Sequence, residues 1–193
     1  MEKISILIAE DETLTRMDLK EMLEEAGYTV CAEAGDGQKA VELAQKLKPD
    51  LAILDVKMPG MNGLDAAKVM QKLNIPVILL TAYSQQNIVS RAEKVAVYGY
   101  LVKPVTEKDL LPAVQIAYAR WKEMQQVQQE LEDTKEKLEG QKLIDHAKAI
   151  LAKENNISIY DAHRLLQKAA MEERISLIEK ARQIIIKNKN FQK

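Results

Sequence analysis

Over its first 118 residues the chain alternates short apolar runs with longer stretches in which apolar residues recur every three or four positions. Runs rich in Ile, Leu and Val at Ile4 to Ala9, Thr29 to Ala34, Leu51 to Leu54, Val77 to Thr81 and Tyr98 to Val102 are strand-sized and predict five strands. The stretches between them predict helices. Leu14, Met17, Leu19, Met22 and Leu23 outline the first, and Gly27 is placed to end it. Strand and helix in repeated alternation build a parallel sheet, because each parallel connection needs a crossover long enough to lie across a sheet face. The expected fold of this half is therefore α/β, a doubly wound five-stranded parallel sheet. Ligands of such sheets bind beyond the carboxyl ends of the strands.

From about Leu110 the strand pattern stops. Ala117, Trp121, Met124, Val127, Leu131, Thr134 and Leu138 recur at steps of three and four, separated by Gln, Glu and Lys. That spacing predicts a long helix with a narrow apolar seam, which a second copy would cover as a homodimeric coiled coil. Two successive steps of three, Trp121 to Met124 to Val127, interrupt the heptad. Gly140 punctuates the helix, and the remainder predicts three short helices. The first runs from about Lys142 to Glu154, the second is opened by Ser158 after a turn at Asn155 and Asn156, and Ser176 opens the third. Ser158 with Asp161 and Ser176 with Glu179 have the spacing of helix-start capping pairs. The expected organisation is a domain over 1–118, a coiled-coil linker over 119–140 and a small helical domain over 141–193.

Hydrophobic residues make up 47% of the chain and charged residues 30%, enough apolar material for a core and too much for a disordered chain. Only 4% are aromatic, so the core must be aliphatic. No apolar run approaches the roughly 20 residues of a membrane-spanning helix. The acidic residues directly after the first run argue against a secretory leader, and the expected location is the cytoplasm, without membrane contact. A single cysteine, Cys31, excludes an internal disulfide and reads as a buried strand residue. Charge is unevenly spread: residues 141–193 carry 11 Lys+Arg against 6 Asp+Glu, whereas residues 1–118 carry 13 against 17. A basic tail on an acidic body suggests a polyanionic partner for the tail, although a solvated basic face has the same composition.

The chemistry concentrates at one edge. Glu10 and Asp11 follow the first strand, Asp55 ends the third, Thr81 ends the fourth, and Lys103 with Pro104 follows the fifth. In a parallel sheet those carboxyl ends converge, bringing together three carboxylates, a hydroxyl and an ammonium. Carboxylates gathered this way repel unless a cation sits among them, and hard oxygen ligands suit Mg²⁺. A lysine opposite supplies positive charge for an incoming phosphate, and the hydroxyl can bond one of its oxygens. Asp55 is then the natural nucleophile, attacking phosphorus to give an acyl phosphate.

These motifs, IAEDE, LDVKMPGMNG, LLTAYS and YLVKP, resemble the flavodoxin-like receiver domains of bacterial response regulators, over residues 1 to about 120. The resemblance implies that Asp55 is the phosphoacceptor, supplied by a sensor histidine kinase. It makes Glu10 and Asp11 the acidic Mg²⁺ pair, completed by the backbone carbonyl of Lys57. Thr81 and Lys103 become the phosphate-contacting residues and Tyr100 the aromatic switch, while Lys57 and Tyr83 occupy positions that tune the lifetime of the phosphate. Glu10 stands where the family has aspartate. Such a protein is a regulator and not an enzyme, beyond assisting its own phosphorylation and dephosphorylation.

The tail resembles the ANTAR domain, a three-helix RNA-binding module of transcription antitermination regulators. The shared residues are Ala147, Lys148, Ile150, Leu151, Ser158, Ala162, Leu165, Leu166, Met171 and Ala181. Ala149 stands where the family usually has glycine and Lys180 where it has an apolar residue. The resemblance implies binding to hairpins in nascent RNA, with Lys148, Arg164, Lys168, Arg174 and Arg182 as candidate contacts, exposed by helical phase. Tyr160 and His163 are the nearest aromatic partners for stacking. A DNA-binding helix-turn-helix would also be small, helical and basic, but the KENNIS joint and the largely apolar helix after it argue weakly against one. A protein-interaction adaptor is disfavoured by the positive tail.

Overall fold

The computed structural model describes residues 3–82 and 97–191. They divide into two compact units, residues 1–125 and 126–193. In the first, β1 (Ser5–Ala9), β2 (Thr29–Ala34), β3 (Leu51–Asp55), β4 (Val77–Ala82) and β5 (Val97–Lys103) alternate with α1 (Thr13–Glu25), α2 (Gly37–Leu47) and α3 (Gly63–Lys72). All five strands pair in parallel, in the order β2-β1-β3-β4-β5. The part of the predicted alternation between β4 and β5, with Tyr83, lies outside the described residues.

The two-residue period of the strands separates two cores. Leu7, Ala9, Ala52, Leu54, Val77 and Leu79 face α2 and α3 through Ala40, Ala44, Ala66 and Met70. Their alternates, Ile6, Ile8, Leu51, Ile53, Ile78 and Leu80, face Leu19 and Leu23 of α1 and Leu110, Val114 and Ala117 of a long fourth helix. The small residues of α2 and α3 let those helices lie close against the aliphatic sheet. Asp36 and Asn62 fix where α2 and α3 begin, accepting backbone N–H bonds from Lys39 at 2.7 Å and Asp65 at 2.9 Å. Gly27 follows α1 with φ 88°, a left-handed conformation suited to a helix stop. Cys31 lies on β2, half-buried, with its sulfur 3.5 Å from the Ile6 carbonyl oxygen.

The long helix, α4 (Glu107–Asn155), is uninterrupted for 49 residues. It joins the predicted coiled-coil segment to the first predicted tail helix, so two further helices follow it instead of three: α5 (Ile159–Glu173) and α6 (Leu177–Phe191). Gly140 does not punctuate. It is buried inside the helix, and a Cβ there would lie 2.7 Å from Cδ1 of Ile178 on α6. The glycine serves close approach between helices, and the helix-forming residues on both sides carry it past the roughly 1 kcal/mol helix penalty of glycine. Both predicted capping pairs form: the Ser158 and Ser176 hydroxyls accept the N–H of Asp161 and Glu179, each at 3.1 Å. The chain turns at Asn156, with φ 52°.

The irregular seam of α4 also resolves. Ala117 is buried in the first unit, and Trp121 lines a cavity there with Leu73, Asn74 and Ile75, while Asn74 and Gln125 exchange two side-chain amide bonds of 2.9 and 2.8 Å. From Met124 onward the stripe Met124, Val127, Leu131, Thr134, Leu138 is exposed and keeps strict alternating steps of three and four. The interrupting step is where the helix leaves the first unit. Among the described residues no helix is long and apolar enough to cross a membrane.

Candidate functional site

The strand order changes direction between β1 and β3, and in open α/β sheets the crevice at that point is where ligands bind. Glu10 follows β1 directly and is completely buried, its N–H donating to the Ala34 carbonyl at 3.0 Å. Asp55 is the last residue of β3 and is 5% exposed. Lys103 closes β5 and reaches back across the edge, its ammonium 2.6 Å from Glu10 Oε2 and 2.8 Å from Asp55 Oδ2. Asp11, at the surface, completes a group in which one oxygen each of Glu10, Asp11 and Asp55 lie within 4.8 Å of one another. The remaining oxygens are partly held by the backbone: Glu10 Oε1 accepts the Glu12 N–H at 3.2 Å and Asp55 Oδ1 the Lys57 N–H at 3.3 Å.

Electrostatics follow from this burial. Desolvation raises the Glu10 carboxyl above its ordinary pKa; the bond to Lys103 opposes that and the charge of Asp55 adds to it. For Lys103, burial favours the neutral amine, but the bonds to Asp55 and Glu10 outweigh it and hold its pKa above the ordinary lysine value. Three carboxylates against one ammonium leave two negative charges in excess, the charge a hard divalent cation would balance, and the donors are all oxygen. The residues present therefore fit such an ion.

Thr81 stands at the same edge. Asp55 pairs in register with Leu80, so Thr81 lies one residue further along the neighbouring strand, with its hydroxyl donating to the Ala82 carbonyl at 3.2 Å. Tyr100 pairs with Leu79 one strand over and is 40% exposed. Two contributors escaped the sequence reading. Gly63 packs so tightly that a Cβ would lie 2.1 Å from the carbonyl oxygen of Asp55, and its own N–H donates to the Val56 carbonyl at 3.1 Å. The glycine-containing run LDVKMPGMNG was the signal available for it. Arg16 of α1 donates to the Glu10 carbonyl oxygen, a contact no local pattern announces.

In the second unit Ala147, Leu166, Ala181 and Ile185 form the buried centre, with Leu143, Ile144, Ile150, Leu151, Leu177 and Ile184 packed around it. Arg164, Lys168, Arg174 and Arg182 are exposed, as their helical phase predicts. Lys148 is not: its side chain is largely covered and its ammonium is 2.7 Å from Asp145 Oδ1, because it lies beside the tail core. Ala149 is exposed, so close helix approach falls to Gly140 instead, and half-buried Lys180 pairs with Glu173. Leu165 and Met171, shared with the packing motif, are exposed in the single chain. His146 is exposed and His163 half-buried.

A family model for the response regulator receiver domain matches residues 6–115, and one for the ANTAR domain matches residues 132–185. The chain belongs to the response regulators that carry a receiver domain followed by an ANTAR domain. It is 46% identical over 173 residues to the transcriptional regulatory protein PdtaR of Mycobacterium tuberculosis, covering 89% of this chain and 84% of that one. Over 111 residues it is 39% identical to the chemotaxis protein CheY of Thermotoga maritima, covering 56% of this chain and 92% of that one. Among solved structures, the signal receiver domain of a modulated diguanylate cyclase from Desulfovibrio desulfuricans G20 superposes with a TM-score of 0.60 at 32% identity, covering 63% of this chain and 98% of that one. The ANTAR match begins inside α4, in keeping with the continuity of that helix.

Proposed function

We propose that this response regulator is a phosphorylation-controlled transcription antiterminator. Asp55 takes a phosphoryl group from a sensor histidine kinase in the cytoplasm, and the tail binds hairpin RNA in a nascent transcript. The observation that carries the first half is the Lys103 ammonium lying 2.6 Å from Glu10 and 2.8 Å from Asp55, within an acidic group. A carboxylate of Asp55 attacks phosphorus, the bond from phosphorus to the donor nitrogen breaks, and its electron pair leaves with that nitrogen. A Mg²⁺ ion, when bound at Glu10, Asp11, Asp55 and the Lys57 carbonyl, supplies the positive charge that lets two anions approach. Lys103 balances the new charge on Asp55, and the Thr81 hydroxyl turns from Ala82 to donate to the phosphoryl oxygen. Tyr100 then moves into the space Thr81 vacates, altering the face beside β5 that leads into α4.

The exposed stripe from Met124 to Leu138 supports a homodimer. In a parallel pair of α4 helices this heptad sets Glu130 at a g position opposite Lys135 at the partner's e position, an attractive contact. The tail's excess of 11 basic over 6 acidic residues supports a polyanionic partner, and the ANTAR match supports RNA over DNA. Two measurements test the scheme. A small-molecule phosphodonor should label the native protein in the presence of Mg²⁺ and leave Asp55→Asn unlabelled. The labelled protein should bind hairpin RNA more tightly than duplex DNA at two salt concentrations. Labelling of Asp55→Asn refutes the first half, and a preference for DNA, or binding to neither, refutes the second.

A further inference from the structure

Helix α5 sorts its exposed side chains by chemistry. Ala162, Leu166 and Ala170 form its buried line. On the opposite side, at 3.6 residues per turn, Tyr160, Arg164, Gln167, Lys168 and Met171 share an arc of about 100°. The acids Asp161 and Glu172 lie together just outside that arc. Tyr160 is 72% exposed and Met171 79% exposed, and Tyr160 makes no hydrogen bond among the described residues. An open tyrosine ring thus lies in line with two exposed cations on one flank of the helix.

We infer that this flank of α5 is the surface that reads unpaired RNA bases, with Tyr160 stacking on a loop base and Arg164 and Lys168 meeting the phosphates beside it. The inference rests on the RNA-binding reading above and deepens it. Every base has a flat π face, so an aromatic ring can hold a base wherever the loop splays one out. A paired stem offers no such face, because its bases are stacked on each other and its major groove is too deep and narrow for side chains. Tyr160, Arg164 and Lys168 stand on successive turns, about 6 Å apart along the axis, so one strand running beside the helix can meet all three. Met171 adds a polarisable apolar contact at the far end of the same line. Glu172 on the adjacent flank lies 3.9 Å from the Lys168 ammonium, an exposed pair weak enough for a phosphate to displace.

The test uses the full-length protein treated with phosphodonor, titrated by fluorescence anisotropy against a labelled RNA hairpin with randomised loop bases and against the same stem as a blunt duplex. Tyr160→Ala should weaken hairpin binding by about 5- to 150-fold while leaving duplex binding and the salt dependence unchanged. Tyr160→Phe keeps the ring and should bind as the native protein does. Arg164→Ala with Lys168→Ala should weaken hairpin and duplex alike and lower the salt slope by about two units. Hairpin binding by Tyr160→Ala equal to the native protein, or an equal loss on hairpin and duplex, overturns the inference while leaving RNA binding by the tail intact. Failure of the native protein to bind either RNA overturns the inference and the RNA-binding reading together.

Discussion

Removing the Lys103 ammonium leaves Glu10 and Asp55 facing each other below the surface without their cation. Lys103→Met keeps most of the side-chain stem and deletes the charge. Taking away one partner of a buried ion pair costs about 3–5 kcal/mol, and since the lysine side chain is 23% open to solvent the lower end, about 3 kcal/mol, applies. The cost should depend on pH in a definite direction. Burial already raises the Glu10 pKa, and losing the Lys103 bond that opposes burial raises it further. Between its unfolded value, about 4.5, and its higher folded value, the folded state binds more protons than the unfolded one, so stability falls as pH rises. The variant's deficit is therefore smallest at and below pH 4.5 and grows as pH rises through the raised folded value. Urea unfolding followed by Trp121, the single tryptophan and a member of the receiver unit, reads this directly. With a urea slope of about 1–3 kcal/mol per molar, the midpoint at pH 7.5 should drop by about 1–3 M, and Mg²⁺ should restore part of it. An unchanged midpoint at pH 7.5, or an equal deficit at pH 4.5 and pH 7.5, would refute the electrostatic account of the site.

Gly63→Ala places a methyl group 2.1 Å from the Asp55 carbonyl oxygen, so the backbone of the nucleophile itself must shift. Stability should fall by about 1–3 kcal/mol, and phosphorylation by a small-molecule donor should slow by about 100-fold; a native rate would show that the strand end is not held as described. Leu131→Lys puts a charge in the exposed seam of α4 and should leave a monomer in light scattering, with the receiver's unfolding midpoint unchanged. Ser158→Ala removes the acceptor of the Asp161 N–H and should destabilise the tail unit by about 1 kcal/mol, measured from its helical circular dichroism on heating.

The sequence by itself determined the strands, the parallel sheet and the edge at which the chemistry collects. Those follow from local rules: a two-residue period sorts each strand's faces, crossovers force parallel pairing, and parallel pairing aligns Glu10, Asp55, Thr81 and Lys103 at one edge. Caps were equally legible, because Ser158 and Asp161 act within a single turn. Tertiary structure alone decided who touches whom. Lys103 bridges Glu10 and Asp55, which stand 93 and 48 positions before it in the chain. Gly140 reads locally as a helix stop because its propensity is poor, yet its small size answers to Ile178, 38 positions away. The irregular step at Trp121 is a flaw in a heptad until the receiver's own surface is seen to claim that residue. Lys148 has the phase of a free cation but lies beside a core built from three helices. Local propensity is a property of neighbours in the chain. Burial, ion pairing and close approach are properties of neighbours in space, and the sequence does not state those distances.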